Sequence, residues 1–418
     1  MGGVLLHVDA NHVEALRSAI QHFQAGRLPQ AEALYRDVFA RDTNCVEAMH
    51  YLGVIAFQSG RAAEAVEVLR RAAELAPGIP VVHSNLGEIY RSLGRFDDAI
   101  ASLKHALTLQ PDDPIALSNL GNAFASQARW DEALACLRRA LSLRPNHANA
   151  HNNLGQLFRL RGQPAEAAAC FREAIRHQPD FVDAHNNLGS ALTVQGQFDA
   201  AQAAFERALA LDPRYADAHN NLGSLGSLRG RPEEALTHYR AALAAAPQRP
   251  DIHSNVILFL HYGPGERGGE IDAELREWNR RHAQPCARFI RPATNDRSPE
   301  RPLRIGYVSR DFRQHPVAFF LLPLLEAHDR RNFHVTCYST SGVADQTTAR
   351  FQASADRWRS LVGVSDEAAA ALIRDDAIDV LVDLSGHTAG NRLPLFARQP
   401  APVQVGYLGF PGPTGVET

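Results

Sequence analysis

The five residues HNNLG occur three times, at residues 151–155, 185–189 and 219–223, and each copy begins 34 residues after the one before it. The same interval continues outside these copies. The glycine that closes each copy belongs to the series Gly53, Gly87, Gly121, Gly155, Gly189 and Gly223. A second glycine series, in which Ala128 fills one missing place, is Gly26, Gly60, Gly94, Gly162, Gly196 and Gly230. Chance does not keep two such series in phase, so one structural unit is repeated.

Each unit has the pattern of two short helices. Apolar residues within 86–93 recur three and four residues apart, which places them on one helical face. Gly94 can end the first helix in a left-handed conformation, and Pro111 ends the second. A 34-residue unit of this kind is typical of tetratricopeptide repeats, which stack to share a continuous core. The sequence predicts an all-α tetratricopeptide superhelix of seven repeats and a capping helix over residues 12–262.

An asparagine stands two residues before the glycine that closes each LG pair. The series is Asn85, Asn119, Asn153, Asn187, Asn221 and, in the capping helix, Asn255. Asparagine is mildly unfavourable inside a helix, so the series needs a reason. The side chains either bond neighbouring helices and face water, or line the groove as a ladder whose amides offer a donor and an acceptor to a peptide backbone. We favour the ladder, which predicts a groove for acceptor polypeptides.

The histidines that open the three copies, His151, His185 and His219, raise the question of a metal site. They lie on successive repeats, about a helix diameter apart, whereas zinc requires ligand atoms within about 2.0–2.1 Å of one ion. We therefore expect these histidines to be solvated or to line the groove, and we expect no metal.

The repeat pattern ends after Tyr262. Residues 263–301 contain a glycine-rich turn, one amphipathic helix and a linker punctuated by prolines. From residue 302 onwards helical stretches alternate with the short apolar runs LRIGYVS, FHVTCYST, IDVLVDL and VQVGYLG. This alternation predicts a parallel, doubly wound sheet, and hence an α/β Rossmann-like lobe over residues 302–418. In such sheets ligands bind beyond the carboxyl ends of the strands.

The loops SRDFRQHP, SGHTAGNR and GFPGPTG follow three of these strands. The first carries Asp311 and His315 four residues apart, and then Pro316, which opens a helix whose free N–H groups favour an anion. Histidine can act as a base, an acid or a donor to phosphate. Aspartate or histidine at a strand end is more often structural, and the sequence has neither a dinucleotide fingerprint nor a P-loop. The residues alone therefore predict a ligand pocket and no particular reaction.

The composition of the chain limits the classes of partner that it can bind. The 43 basic and 46 acidic residues give a net charge of −3, which argues against nucleic acid, and the longest apolar run, VAFFLLPLL, is too short to span a membrane. Five scattered cysteines without a close pair suit a reducing compartment. We expect a cytoplasmic protein with no nucleic-acid or membrane partner.

The repeats with their asparagine series, joined to LRIGYVSRDFRQHP, DLSGHTAGNR and FARQPAPVQVGYLGFPGPTG, resemble the protein O-GlcNAc transferase family, which includes the SPINDLY proteins. The resemblance implies a GT-B glycosyltransferase that moves N-acetylglucosamine from UDP-GlcNAc to Ser or Thr of proteins with inversion. It needs no cofactor or metal. By the same resemblance His315 and Asp311 are catalytic, and the asparagine ladder holds the acceptor. The residues expected to contact the donor are Pro316, Leu408, Gly409 and His387. The loop of His387 departs from relatives that carry a tyrosine there.

A GT-B enzyme binds its nucleotide mainly through a second lobe, and the sequence ends at GFPGPTGVET. The expectation is therefore that residues 302–418 are the N-terminal lobe of a truncated enzyme, which turns over no sugar nucleotide by itself. Two alternatives remain open: a non-catalytic scaffold that binds peptides through its repeats, and an O-fucosyltransferase of the SPINDLY type that uses GDP-fucose. Neither the acceptor proteins nor the oligomeric state follows from the sequence.

Overall fold

The first half of the chain is built from pairs of antiparallel helices. In the computed structural model, which describes residues 10–263, 267–410 and 412–417, the chain forms two compact units, one ending at Gln195 and one beginning at Gly196. The helices of the first unit are α1 (Ala10–Gln24), α2 (Leu28–Arg41), α3 (Val46–Gln58), α4 (Ala62–Leu75), α5 (Pro80–Ser92), α6 (Phe96–Leu109), α7 (Pro114–Ser126), α8 (Trp130–Leu143), α9 (Ala148–Leu160), α10 (Pro164–His177) and α11 (Val182–Val194).

The second unit begins with the remaining repeats. Its helices before the sheet are α12 (Phe198–Leu211), α13 (Ala216–Leu228), α14 (Pro232–Ala245), α15 (Pro250–Tyr262) and α16 (Gly268–Trp278). From α3 to α15 the first helix of each pair has 13 residues and the second has 14, as the 34-residue period requires. The predicted tetratricopeptide fold is confirmed.

The glycine of the LG pair lets the two helices of a repeat approach closely at Gly53, Gly87, Gly121, Gly155 and Gly223. A Cβ on Gly87 would lie 2.5 Å from Leu103 Cγ, and one on Gly155 would lie 2.6 Å from the ring of Phe171. Real Cβ atoms do not come so close, so only glycine fits. Ala128, which fills the missing place of the second glycine series, takes the same left-handed turn with φ of 57°.

A short irregular segment joins the repeats to the sheet. After α16 the helix continues as a π-helical turn over Asn279–Ala283 and a 3-10 helix over Gln284–Phe289. This extends the single helix predicted for the linker. Trp278, at the end of α16, is fully buried and anchors the segment.

The second unit ends in a five-stranded, wholly parallel sheet with the order β3-β2-β1-β4-β5. The strands are β1 (Leu303–Ser309), β2 (Phe333–Ser339), β3 (Arg357–Ser360), β4 (Val380–Asp383) and β5 (Val403–Gly406). The helices between them are α17 (Pro316–Ala327), α18 (Gln346–Ser354), α19 (Asp366–Asp375) and α20 (Leu393–Phe396). The predicted Rossmann-like class is confirmed, whereas the exact domain limits remain a prediction.

Strand β3 and the helix before it, α18, were not predicted from the sequence. The β3 segment RWRS has no apolar run, because it is an edge strand that pairs only with β2. Arg357 and Arg359 instead form ion pairs with the buried carboxylate of Asp376, at 2.6 and 2.7 Å. These contacts hold the outer edge of the sheet in place.

Candidate functional site

The chain reverses its direction of travel across the sheet between β1 and β4. It first runs outwards from β1 to β2 and β3, and then returns to place β4 and β5 on the other side of β1. Such a switch point opens a crevice between the loops that leave the two central strands, which is where ligands bind in doubly wound sheets. The loop of Asp311 and His315 follows β1, and the loop of His387 follows β4.

Asp311 and His315 lie close together in the loop after β1. Nδ1 of His315 is 3.8 Å from Oδ2 of Asp311, and Nε of Arg313 is 3.7 Å from Oδ1 of the same carboxylate. Both distances are too long for hydrogen bonds. The side chain of Asp311 is 12% exposed and that of His315 36% exposed. The carboxylate is therefore sheltered beside two basic side chains, and its oxygens keep acceptor capacity for a ligand.

His315 also caps the helix that follows it. Its Nδ1 accepts a hydrogen bond of 3.3 Å from the backbone N–H of Val317, and Pro316 occupies the first turn of α17, where a missing N–H costs nothing. A ring nitrogen that accepts a hydrogen bond carries no proton, so the neutral ring bears its hydrogen on Nε2. The cap thus turns His315 into a donor towards whatever faces Nε2.

The loops after β4 and β5 are in backbone contact. A Cβ on Gly409 would lie 2.0 Å from the carbonyl oxygen of Leu384, so no larger residue fits there. Leu408, with φ of 65°, turns the chain into this contact and remains 39% exposed. Because all strands are parallel, Leu408 and Gly409 lie at the same edge of the sheet as Asp311, His315 and Pro316.

Asp383 fixes the loop after β4. Its carboxylate accepts hydrogen bonds of 2.9 Å from the backbone N–H groups of Ser385 and Gly386. Burial raises the pKa of this carboxyl, against the opposing effect of the two N–H donors. The buried carboxylate of Asp383 therefore holds this loop in place.

A cavity of about 530 Å³ opens beside His315, between α17 and α18. Ala318, Phe319 and Leu322 supply its apolar wall, and Asp345 and Arg350 supply charge. Asp345 also accepts a hydrogen bond of 2.7 Å from the backbone N–H of Gln314. The cavity leaves this side of the β1 loop open to a ligand.

The asparagine series joins neighbouring repeats by hydrogen bonds. Nδ2 of Asn187 donates to Oδ1 of Asn152 at 2.9 Å, and Nδ2 of Asn153 donates to Oγ of Ser118 at 2.9 Å. The same bond joins Asn255 to Asn220 at 2.8 Å and Asn85 to Nε2 of His50 at 2.7 Å. Each of these asparagines therefore holds the residue 35 positions earlier and keeps its Oδ1 as an acceptor.

The structure shows the bonds between neighbouring helices, and the ladder that binds a peptide remains a prediction. All six predicted ladder residues are partly exposed: Asn85, Asn119, Asn153, Asn187, Asn221 and Asn255. Asn119 and Asn153 line a cavity of about 380 Å³ together with Asn122, Asn149 and Gln156. Asn119 is an exception to the inter-repeat bond, since neither its side chain nor the buried Oγ of Ser84 has a hydrogen-bond partner among the described residues. That amide is wholly available to a ligand.

Comparison with known proteins finds relatives of the repeats and of the α/β lobe. The model of glycosyl transferase family 41 matches residues 282–418, and a tetratricopeptide repeat model matches residues 192–254. The model of the cilia and flagella-associated protein 70 C-terminal domain matches residues 7–221, within the helical repeats. A solved mutant O-GlcNAc transferase from Thermobaculum terrenum is 36% identical, with a TM-score of 0.59 over 64% of this chain and 51% of that chain. Residues 282–418 thus match glycosyl transferase family 41, and the chain is similar to O-GlcNAc transferases.

Plant members of this family are similar over part of the chain. A probable UDP-N-acetylglucosamine–peptide N-acetylglucosaminyltransferase SPINDLY from Solanum lycopersicum is 40% identical over 147 residues, which are 34% of this chain and 16% of the relative. The corresponding SEC protein of Arabidopsis thaliana is 44% identical over 115 residues, 27% of this chain and 12% of the relative. The matches thus span less than a fifth of these relatives' length.

His387 has a different place in the structure from the one that the sequence predicted. Its ring is fully buried, Nδ1 lies 2.9 Å from Oγ of Ser254, and Nε2 lies 2.9 Å from the carbonyl oxygen of Thr414. Burial lowers its pKa to about 3. Trp278 and Phe410 pack edge-on against the ring. Because both nitrogens are engaged inside the protein, the predicted donor contact is not available to His387.

The partner of His387 explains this burial. Ser254 occupies, in the capping helix α15, the position that Asn152 and Asn220 hold in the repeats. In those repeats the position accepts a hydrogen bond from the next repeat, and here it bonds the loop after β4. The α/β lobe therefore joins α15 at the place where a further repeat would attach.

The histidines of the repeats support the loops before them. Nε2 lies near the carbonyl oxygen of the proline six residues earlier in His83, His151, His185 and His219, at 2.9, 2.8, 2.9 and 3.1 Å. The expectation of solvated or groove-lining rings is thus incomplete, because the rings join each helix to its preceding turn. A proline six residues before a histidine, repeated in phase, was the signal in the sequence.

Arg310 is a residue of the candidate site that the sequence analysis did not single out. Its side chain lies across Gly390, whose added Cβ would be 2.6 Å from Cδ of the arginine. It is exposed, and within the described part of the chain its guanidinium has neither an ion pair nor a hydrogen bond. An unpaired cation thus lies between the loops of β1 and β4.

No described helix has the length and apolarity to cross a membrane.

Proposed function

We propose that this chain serves protein O-GlcNAc transfer from UDP-GlcNAc to serine or threonine. The repeats bind the acceptor polypeptide, and the lobe from β1 to β5 contributes one side of the reaction site. The observation that carries the proposal is the placement of Asp311, His315 and the Leu408–Gly409 turn at one edge of a switch-point sheet, in a segment that matches glycosyl transferase family 41.

The chemistry assigns a role to each group. The acceptor hydroxyl oxygen forms a bond to the anomeric carbon of GlcNAc, while the bond from that carbon to the diphosphate oxygen breaks and UDP leaves. The hydroxyl proton must pass to a base, and the sheltered carboxylate of Asp311 can accept it. His315, with its hydrogen on Nε2, donates to an oxygen of the donor, and Arg310 offers positive charge to the diphosphate. Direct attack of this kind inverts the anomeric centre.

The acceptor is held by its backbone. Where Nδ2 of an asparagine is engaged with the preceding repeat, Oδ1 remains to accept a peptide N–H group. Recognition through the backbone suits a transferase that modifies many proteins, because it does not depend on particular side chains. The five cysteines are unpaired, in keeping with a cytoplasmic location, which remains part of the proposal.

Saturation-transfer NMR on the 418-residue chain tests the donor half of the proposal. UDP-GlcNAc and GDP-fucose are compared as ligands, with His315→Ala as the variant and the exposed His105→Ala as the control. We expect saturation of the GlcNAc protons, a weaker signal from GDP-fucose, and loss of the GlcNAc signal in His315→Ala alone. Equal signals in the chain and in His315→Ala would overturn the assignment of His315, and preference for GDP-fucose would assign the chain to O-fucosyl transfer.

A further inference from the structure

Three potential metal ligands meet in one helix pair of the first unit. His151 on α9 and Glu173 and His177 on α10 each offer one ligand atom, and these atoms lie within 4.8 Å of one another. All three residues are partly exposed, the side chains of His177 and Glu173 by 16% and 46%. The residues predicted from the sequence did not include Glu173 or His177.

Two of the three residues depart from the repeat pattern, and both departures fall in the same repeat. One repeat before and one repeat after Glu173 the residue is arginine, at Arg139 and Arg207. At the same steps from His177 it is leucine, at Leu143 and Leu211. In this repeat a carboxylate thus replaces the arginine and a histidine replaces the leucine. Glu173 and His177 are therefore spaced i, i+4 on one helix face.

We propose that His151, Glu173 and His177 form a binding site for a divalent transition metal of the Zn²⁺ class. Zinc takes imidazole nitrogens and carboxylate oxygens at about 2.0–2.2 Å, and three protein ligands with one water complete its tetrahedral shell. Small rotations of three surface side chains bring atoms 4.8 Å apart or closer to that geometry. The site would join α9 to α10 at the end of the helix pair, outside the lobe that carries Asp311 and His315.

A cation already occupies this place. Nη2 of Arg176 lies 2.7 Å from Oε2 of Glu173 and 2.7 Å from Nε2 of His177. Since a guanidinium only donates, the lone pair of His177 Nε2 and the carboxylate of Glu173 both point at one positive group. The side chain of Arg176 is 62% exposed, so it can withdraw into solvent when a metal takes its position.

The third ligand has a free lone pair in the appropriate tautomer. Nε2 of His151 is 2.8 Å from the carbonyl oxygen of Pro145, which accepts, so this nitrogen carries the hydrogen. Nδ1 of His151 is then unprotonated and can bind a metal without loss of the bond to Pro145. In these tautomers Nδ1 of His151 and Nε2 of His177 each present a lone pair.

Isothermal titration of the untagged 418-residue chain with ZnCl₂ tests the proposal. The variants are His177→Leu, which restores the residue of the neighbouring repeats and keeps the helix stable, and Arg176→Ala, which removes the competing cation. The control is His185→Ala. His185 has the same bond to a proline carbonyl, but one repeat later in the sequence Arg207 and Leu211 occupy the positions of Glu173 and His177.

We expect the original chain to bind one zinc ion. In His177→Leu this binding should be lost, or its affinity should fall about tenfold or more. Arg176→Ala should bind zinc more tightly, and His185→Ala should bind it as the original chain does. Substitution by Co²⁺ should give visible absorption of a tetrahedral site in the chain and not in His177→Leu. Zinc binding that is the same in the chain and in His177→Leu, or equally reduced by His185→Ala, would overturn the proposal.

Discussion

Nδ2 of Asn187 donates a hydrogen bond of 2.9 Å to Oδ1 of Asn152, one repeat earlier in the chain. This bond explains why HNNLG contains two adjacent amides. The first asparagine is buried at Asn152 and Asn186 and partly exposed at Asn220, and it accepts the bond from the next repeat at Asn152 and Asn220. The second asparagine spans the junction and is partly exposed. Stability of the array and display of acceptor groups therefore depend on the same pair of residues.

Replacement of Asn152 by alanine should destabilise the first unit by about 1–3 kcal/mol, because Nδ2 of Asn187 loses its acceptor in a half-buried place. Urea denaturation followed by circular dichroism measures the change. Asn149→Ala is the matched control on the same helix, since Asn149 is exposed and should alter stability by less than about 0.5 kcal/mol. Equal effects of the two variants would show that the bond between repeats contributes nothing.

Acidification should lower the free energy of unfolding, because His387 is buried in its neutral form. Its pKa in the folded chain is lowered to about 3, and that of His282 to about 4, in each case first by burial. An unfolded histidine titrates near 6.5, so between about pH 6.5 and these values the unfolded chain binds protons that the folded chain excludes. The free energy of unfolding therefore falls as the pH drops through this window.

Calorimetry between pH 8 and pH 4.5 measures this dependence. In His387→Gln the decrease should be shallower by about one proton, because the residue that cannot ionise in the fold is gone. The exposed His105→Gln serves as the control and should follow the original chain. An unchanged slope in His387→Gln would mean that this ring is not shielded as the structure shows.

Gly409→Ala should disrupt the turn beside the candidate site, since the new Cβ would lie 2.0 Å from the carbonyl oxygen of Leu384. We expect a loss of about 1–3 kcal/mol in stability and of the UDP-GlcNAc signal in saturation-transfer NMR. Gly406→Ala is the control, because a Cβ there meets nothing within 4 Å. A folded Gly409→Ala variant with full donor binding would separate this turn from the donor.

Arg310→Ala should weaken the binding of UDP-GlcNAc by about tenfold, because an unpaired cation between the two loops is lost. The affinity of the original chain should also fall with added salt more steeply than that of the variant. Arg304→Ala, an exposed change at the opposite end of β1, should have no effect. Equal donor affinities for Arg310→Ala and the original chain would remove Arg310 from the site.

The sequence predicts the periodic and local features well. The 34-residue interval determines helix lengths and turns, and buried strands such as β1 appear as apolar runs. The sequence does not predict β3, whose arginines form ion pairs with Asp376, or the burial of His387, whose partner Ser254 is 133 residues away. Such contacts depend on tertiary packing between distant segments, which a local pattern does not contain.

The most direct test of the account is whether the asparagine ladder binds a peptide backbone. Fluorescence anisotropy with a labelled library of 12-residue peptides, each with a central serine, compares the original chain with a variant in which Asn119, Asn153 and Asn187 are alanine. Circular dichroism confirms that the variant keeps its helices, and Asn146→Ala, in an exposed loop, is the control. The account predicts affinity lower by about tenfold or more in the triple variant and a similar loss when the peptides are N-methylated. Unchanged affinity in the folded triple variant, or full binding of N-methylated peptides, would contradict it.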